Sequence, residues 1–444
     1  MRRRARATRP TRLPAGRTRR PPSRLGRNTF PHRVVPCERL MARIRIYIAR
    51  HLCTAPRPQK EADALALAGH DVSVHGMAYR ADFAARDASL AAGKDWAWEP
   101  VVNFATPPRR FAWLRARLRH RLAREWFAIT TRVSADVWGY ANHALAAHAL
   151  RQPANLTIVH FEGGLWFGDS LLQRGLRVGV DFEDWFSHDL APGQRHGRPV
   201  GYLAQLEARF LRATPYALAP SRSLAEAMSH ELDAPPPSVI YNTFSAGPEP
   251  VLTAPPQRPV SLHWFSLVMG PERGLETLFD ALPAVHGSWE LHLRGESTPA
   301  YRQSLLSRLP PGLHSRIHFL STISAGELPA AIAAHDIGLA LEVSAIPSRN
   351  LTLTNKFFHY LQSGLAVVAS DTAGHREGLS LAPGAGNLFT AGQPDSLARA
   401  LNHWTTNPAR ITPARRAARA AFVSRLSHDH QCTRYAALAD AALA

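Results

Sequence analysis

Apolar and polar residues alternate from Ile44 to Ala49, where Ile44, Ile46 and Ile48 are interleaved with Arg45 and Tyr47, and this period of two predicts a strand. A proline-bearing loop over 51–58, a helix over 59–68, a Gly69-His70-Asp71 turn and a second strand, Val72 to His75, follow. Short apolar runs with polar tips predict further strands at 156–159, 176–180, 216–218 and 238–241, separated by helical stretches such as 202–212. Residues 80–108 carry no single pattern, although Val101 to Phe104 is strand-like. Between 109 and 127, Phe111, Leu114, Leu118 and Leu122 recur three or four apart, and Arg109, Arg110, Arg115, Arg117, Arg119, Arg121 and Arg124 crowd the remaining positions. That is a basic amphipathic helix. It can pack its apolar face on a sheet, or lie on an anionic membrane surface with each arginine contributing about 1 kcal/mol. The proline-rich run 246–259 reads as a linker, after which strands at 261–266, 290–293, 316–320 and 335–342 and helices over 394–404 and 412–443 continue the alternation. Strand and helix alternating in this way predict α/β architecture with parallel sheets.

The run Leu353 to Asp371 concentrates the chemistry. Thr354 or Asn355 can cap a helix, Phe357, Phe358, Tyr360 and Leu361 supply its apolar face, and Gly364 stops it. The strand Ala366 to Ala369 follows and ends in Ser370-Asp371, at the carboxyl end of a strand, where open α/β sheets bind ligands. Lys356 falls in the first helical turn, where free N–H groups and the helix dipole already favour an anion, so it adds a point charge to a phosphate site. The chain has three lysines, Lys60, Lys94 and Lys356, among 53 basic residues. Keeping one here favours a role, although a solvated surface lysine is the plainer alternative.

At 444 residues, 45% hydrophobic and 20% charged, the chain is long enough for two or three globular domains. No apolar run approaches eighteen residues, so no membrane-spanning helix is expected. Cys37, Cys53 and Cys432 are far apart, without CxxC or Cys/His pairing, and support neither a disulfide framework nor a zinc site. The net charge of +19 is uneven: residues 1–40 hold 13 arginines and one acid, Glu38. This arm is expected to be disordered. It reads as a nucleic-acid-binding arm, a transit peptide, or a stretch upstream of a functional start at Met41; a start at Met41 is preferred, and nucleic acid is not the expected partner.

The 353–371 run resembles the donor-site helix and strand of GT-B fold glycosyltransferases, in particular glycosyltransferase family 4 (group 1), where a helix opening with a lysine and a Gly-x-Pro-Val strand bind a nucleotide diphosphate sugar. Lys356 and Gly364 match, His359 stands where the family has a ribose-binding glutamate, and Ala366 replaces the proline. The paired glutamates eight residues apart are absent, since Leu351 stands at the first position. The resemblance extends over 41–444. It implies two Rossmann-like domains facing a cleft, an acceptor domain at 41–245 and a nucleotide-sugar domain at 260–405, with helices of 406–444 crossing back to the first. It implies that Arg273 clamps the diphosphate, that Glu342 holds donor-sugar hydroxyls in place of the missing glutamate, and that the loop ending in Glu377 belongs to the donor site. His160 is the nearest match to the family's reaction-centre histidine, with Glu162 as the alternative.

These observations lead to an expected glycosyltransferase that moves a sugar from a nucleotide diphosphate sugar to a hydroxyl acceptor on the cytoplasmic face, with retention of configuration. Arg273, Lys356 and the amides at Thr354 and Asn355 would neutralise the leaving diphosphate, so neither a metal nor another cofactor is expected. His160, Glu162, Asp181 and Glu183, at the tips of two successive strands, are the candidates for acid–base work and for holding the acceptor. A degenerate scaffold and a sugar-nucleotide epimerase are the alternatives.

Overall fold

The computed structural model describes residues 41–190, 192–250, 258–342 and 346–444. The arginine-rich arm and residues 251–257 of the linker stretch lie outside them. Seven parallel strands form the first sheet: β1 (Arg43–Tyr47), β2 (Asp71–Ala78), β3 (Ala97–Asn103), β4 (Leu156–Val159), β5 (Val178–Asp181), β6 (Ala217–Ala219) and β7 (Ser238–Val239), in the order 3-2-1-4-5-6-7. Six more form the second: β8 (Val260–Val268), β9 (Trp289–Glu296), β10 (Ile317–Leu320), β11 (Ile337–Ala340), β12 (Ala366–Ser370) and β13 (Gly386–Phe389), in the order 10-9-8-11-12-13. β4, β5, β11 and β12 are buried at every position, which is why they read as unbroken apolar runs rather than as alternations. In each sheet the strand order reverses beside the first strand, and the crevice at that reversal is where an open α/β sheet takes its ligand.

The helix Asn355–Gln362 lies tightly on the second sheet. A Cβ at Gly338 in β11 would sit 2.2 Å from the Tyr360 ring, so the missing side chain sets how closely this helix approaches. Tyr360 donates its hydroxyl to the carbonyl of His263 at 3.1 Å, which fixes the helix against β8.

Three elements differ from expectation. The helix Ala81–Ala91 and β13 were not anticipated, because the helix is mostly exposed and lacks an apolar stripe, and β13 is four residues opening with glycine. The single helix expected over 412–443 is broken into Ile411–Ala421, a π-helical turn Phe422–Leu426, and His428–Leu443. Phe422 and Leu426 pack in the second-domain core with Phe357 and Phe358. Tyr435, Ala439 and Ala442 pack with Ile44 and Ile46 beneath the first sheet. The break falls where the chain passes from one core to the other.

The basic helix spans Arg110–Thr130, and the face identified from sequence is not the packed one. Phe111, Leu114, Leu118 and Leu122 are exposed, together with Trp126 and Ile129. Trp113, Ala123 and Phe127, on the opposite side, contact the first-domain core instead. The helix therefore has two apolar faces, and no residue of it is fully buried.

Candidate active site

The second-domain half of the site forms where β8, β11 and β12 end. Asn355 opens the helix Asn355–Gln362 and is exposed, and Thr354 occupies the cap position with extended backbone. The Thr354 hydroxyl does not cap the helix; it lies 3.2 Å from His375 Nε2, whose Nδ1 faces the Ser370 carbonyl at 2.9 Å. The helix's first N–H groups thus keep no side-chain partner from Thr354. Lys356 Nζ sits 3.1 Å from the Glu342 carboxylate and 5.7 Å from the Trp264 ring centre. Glu342 is aligned by its own N–H, which donates to Ser370 Oγ at 2.9 Å. Across the crevice, the loop after β8 turns through Glu272 and Gly274, both at positive φ, and presents Arg273 to solvent. Arg273 has no hydrogen bond or ion pair among the described residues. One lysine paired with a carboxylate and one free guanidinium suit a diphosphate carrying a sugar: the cations meet phosphate oxygens and the carboxylate accepts from hydroxyls.

His359 and Glu377 both contact residues that come from, or lead out of, the first domain. The His359 ring is stacked on Phe244, 3.8 Å between centres, and hydrogen-bonded to Gln362 at 3.3 Å. Burial pushes its pKa down to about 4, so it is a neutral ring packed against the chain leaving the first domain, in a covered position. Glu377 reaches away from the donor crevice. Its carboxylate accepts from the N–H of Arg222 and Ser223, the Ser223 hydroxyl and the Tyr241 hydroxyl, at 2.8–2.9 Å, and so ties the second domain to the start of the first-domain helix Arg222–Leu232. An anion there also complements that helix's dipole.

The first-domain half is dominated by a buried charge network. His160, at the tip of β4, is 1% exposed. Its Nε2 is hydrogen-bonded to the Glu61 carboxylate, and its Nδ1 lies 3.1 Å from Glu183. Burial alone would lower its pKa, but the Glu61 and Glu183 carboxylates outweigh it and push the value up to about 10. Both ring nitrogens of His160 thus face carboxylates. Asp181 is fully buried at the end of β5 and bound by Arg57 Nε at 2.7 and 2.9 Å, so it offers no open carboxylate to an acceptor. Glu183 is shared between His160 and Arg50, the latter at 3.4 Å, and sits at the rim with part of its carboxylate accessible.

Beside it stands Asp184, which the strand-tip pattern did not single out. Burial, with Asp189 and Glu183 nearby, pushes its carboxyl up to about 8. The opposing charges are Arg50 and the exposed Arg349 of the second domain on Asp184, and Arg349 and Arg198 on Asp189. The two domains also meet directly nearby: the Trp185 N–H donates to Ser348 Oγ at 3.0 Å, and Ser221 Oγ donates to the Leu351 carbonyl at 2.8 Å. The burial of Asp184 is a tertiary effect, whereas Glu183 and Asp189 are its neighbours in sequence.

Glu162 belongs to a separate hollow. A cavity of about 270 Å³ opens at the tips of β1 and β4, walled by Trp138, Tyr140, Asn142, Glu162, Arg124 and Arg198. Glu162 is ion-paired to Arg198. Both polar side-chain atoms of Asn142, 2% exposed, and the indole N–H of Trp138 lack a hydrogen-bond partner. Aromatic walls with unsatisfied amide groups and a carboxylate can hold a hydroxyl-bearing ring.

A family model described as "Glycosyl transferases group 1" matches residues 260–407. No curated protein matches the chain. Among solved structures, HepE of Anabaena in complex with UDP-glucose is 16% identical, with a TM-score of 0.63 over 90% of this chain and 100% of that one. Sucrose-phosphate synthase from Thermosynechococcus elongatus is 16% identical, with a TM-score of 0.62 over 88% and 96%. A putative UDP-N-acetylglucosamine 2-epimerase from Listeria monocytogenes is 12% identical, with a TM-score of 0.54 over 90% and 96%. With two parallel sheets of this order the chain has the GT-B fold, and its residues 260–407 match the group 1 glycosyltransferase model.

Proposed function

We propose that the chain transfers a sugar from a nucleoside diphosphate sugar to a hydroxyl acceptor. The observation that carries this reading is the pairing of Lys356 with Glu342 at the ends of β11 and β12, opposite the free Arg273. Lys356, Arg273 and the N–H groups of the helix start would take the charge of the leaving diphosphate, and Glu342 would accept from donor-sugar hydroxyls. HepE, complexed with UDP-glucose, makes a UDP-hexose the first donor to test. Retention and independence of metal belong to the same proposal. The hollow around Asn142 favours a second substrate, and so argues against an epimerase needing only the donor. Asp184, positioned between the domains with its carboxyl raised, is the candidate proton-handling group in place of His160.

The exposed face of the helix Arg110–Thr130 supports a second element of the proposal. At 100° per residue, Phe111, Leu114, Leu118, Leu122, Trp126 and Ile129 fall within about 120° of arc. Arg119 flanks this stripe on one side and Arg110, Arg117 and Arg121 on the other, while Arg115 and Glu125 fall within its arc. Such a face seats on an anionic bilayer, its apolar residues among the acyl chains and its arginines at the headgroups. Among the described residues no helix is long and apolar enough to cross a membrane.

Donor binding and slow hydrolysis across UDP-, GDP- and ADP-sugars, with wild type beside Lys356→Ala, test the transferase reading, and the anomeric configuration of the product tests retention. Binding of one class that is lost in Lys356→Ala is the expected result. Binding of none of them by the folded wild type would overturn the reading in favour of a scaffold.

A further inference from the structure

We propose that His75, Glu99 and His148 form a binding site for a divalent cation of the Zn²⁺ class. The three come from different elements: His75 from the middle of β2, Glu99 from its register partner on β3, and His148 from the helix Asn142–Arg151 that packs against them. His75 Nδ1 lies 3.2 Å and His148 Nε2 3.5 Å from the same oxygen of Glu99, and all three ligand atoms lie within 4.8 Å of one another. Ligand bonds of about 2.0–2.1 Å at tetrahedral angles place donor atoms roughly 3.3–3.4 Å apart, so the observed separations already match two edges of such a polyhedron.

The remaining ring nitrogens are held as metal-binding imidazoles usually are. His75 Nε2 is 2.8 Å from Ser73 Oγ, and His148 Nδ1 is 2.9 Å from the Tyr47 hydroxyl. These partners orient each ring and leave the opposite nitrogen aimed at Glu99. The aimed nitrogens, His75 Nδ1 and His148 Nε2, are buried and have no hydrogen bond among the described residues, on side chains 4% and 8% exposed. Two imidazoles and a carboxylate suit zinc or a neighbouring transition ion and leave one position for water.

Two other groupings are weaker. In the Glu61, His160 and Asp181 group both histidine nitrogens are committed and Arg57 already occupies Asp181. Glu290, His292 and His318 on the second sheet are more open, with histidine-to-carboxylate distances of 4.0 and 3.6 Å. The first-domain site would fasten the outer strands β2 and β3 to the helix that opens with Asn142, and so hold that amide in the cavity wall. It does not depend on the transferase reading, because its ligands are outside the donor crevice.

The test uses the full chain without a histidine tag, stripped with chelator and titrated with Co²⁺ while visible absorption is followed, with Zn²⁺ as competitor. Wild type is expected to bind with an intense tetrahedral band displaced by Zn²⁺. Glu99→Ala, at a half-exposed position whose loss leaves packing intact, is expected to weaken Co²⁺ binding at least tenfold, as is His148→Asn. A Glu290→Ala/His318→Asn double variant is expected to bind as wild type does. Absence of the band in wild type would overturn the proposal. So would a band kept by Glu99→Ala and lost in the double variant, which would place the cation on the second sheet.

Discussion

Lys356 Nζ stands 3.1 Å from Glu342 Oε1, with the two side chains 12% and 15% exposed, and the pair joins the start of a helix to the end of the strand before it. A half-open pair of this kind can exchange its carboxylate for phosphate oxygens without leaving a charge stranded. Lys356→Ala is therefore expected to weaken nucleotide-sugar binding by roughly 1.5–3 kcal/mol, about ten- to a hundredfold, with little change in melting temperature. Calorimetric titration beside thermal unfolding checks this. Equal donor affinity in the variant would remove Lys356 from the site.

His160 supports the opposite expectation, a large effect on stability. Removing it strands Glu61, and breaking a buried pair costs on the order of 3–5 kcal/mol. His160→Gln should fall in that range by urea unfolding. Because the folded pKa is raised to about 10 from an unfolded value near 6.5, the stabilisation is complete below pH 6.5 and is lost as pH rises towards 10. Histidine NMR should find this ring still protonated at pH 8, and a ring that titrates near 6.5 would contradict the network.

Glu377 distinguishes an interdomain tie from a donor contact. Four donors to one carboxylate make Glu377→Ala cost about 2–4 kcal/mol of unfolding free energy, while donor affinity changes little. A variant of unchanged stability that had lost its donor would reverse the assignment.

Asp184 has a carboxyl held up near 8, so the folded protein keeps a proton that the unfolded chain releases near pH 4. Its contribution to stability therefore falls as pH rises from about 4 to 8. In Asp184→Asn that decline should disappear from the pH–stability curve, and transfer activity should drop without a change in donor affinity. An unchanged curve would show that Asp184 titrates as an ordinary surface carboxyl.

The apolar stripe on the helix Arg110–Thr130 is tested by vesicle flotation. Wild type should float with phosphatidylserine-containing vesicles and not with neutral ones, and Leu118→Asp/Leu122→Asp should stay at the bottom. Replacing Arg115, Arg117 and Arg121 with glutamine should weaken binding by about 1 kcal/mol per residue and flatten its salt dependence. These positions are exposed, so the variants should melt as wild type does.

Local patterning determined much of this protein. Buried parallel strands are largely apolar runs because both faces are covered, so β4, β11 and β12 were legible, as were the helix and glycine around Lys356. The register of apolar residues also located the basic helix. It did not say which face packs, since a helix carrying Trp113 and Phe127 on one side and Phe111, Leu118 and Ile129 on the other satisfies the same spacing twice. Charge pairing was equally out of reach. His160, Asp181 and Glu377 look from sequence like open groups at strand tips or in a loop. Their partners Glu61, Arg57, Arg222 and Tyr241 arrive from elements far along the chain, so these ion pairs and hydrogen bonds are not visible locally. Position along a strand or helix is a local property that sequence carries; which groups lose water together, and therefore which remain free to react, is decided only when the sheets and helices close on one another.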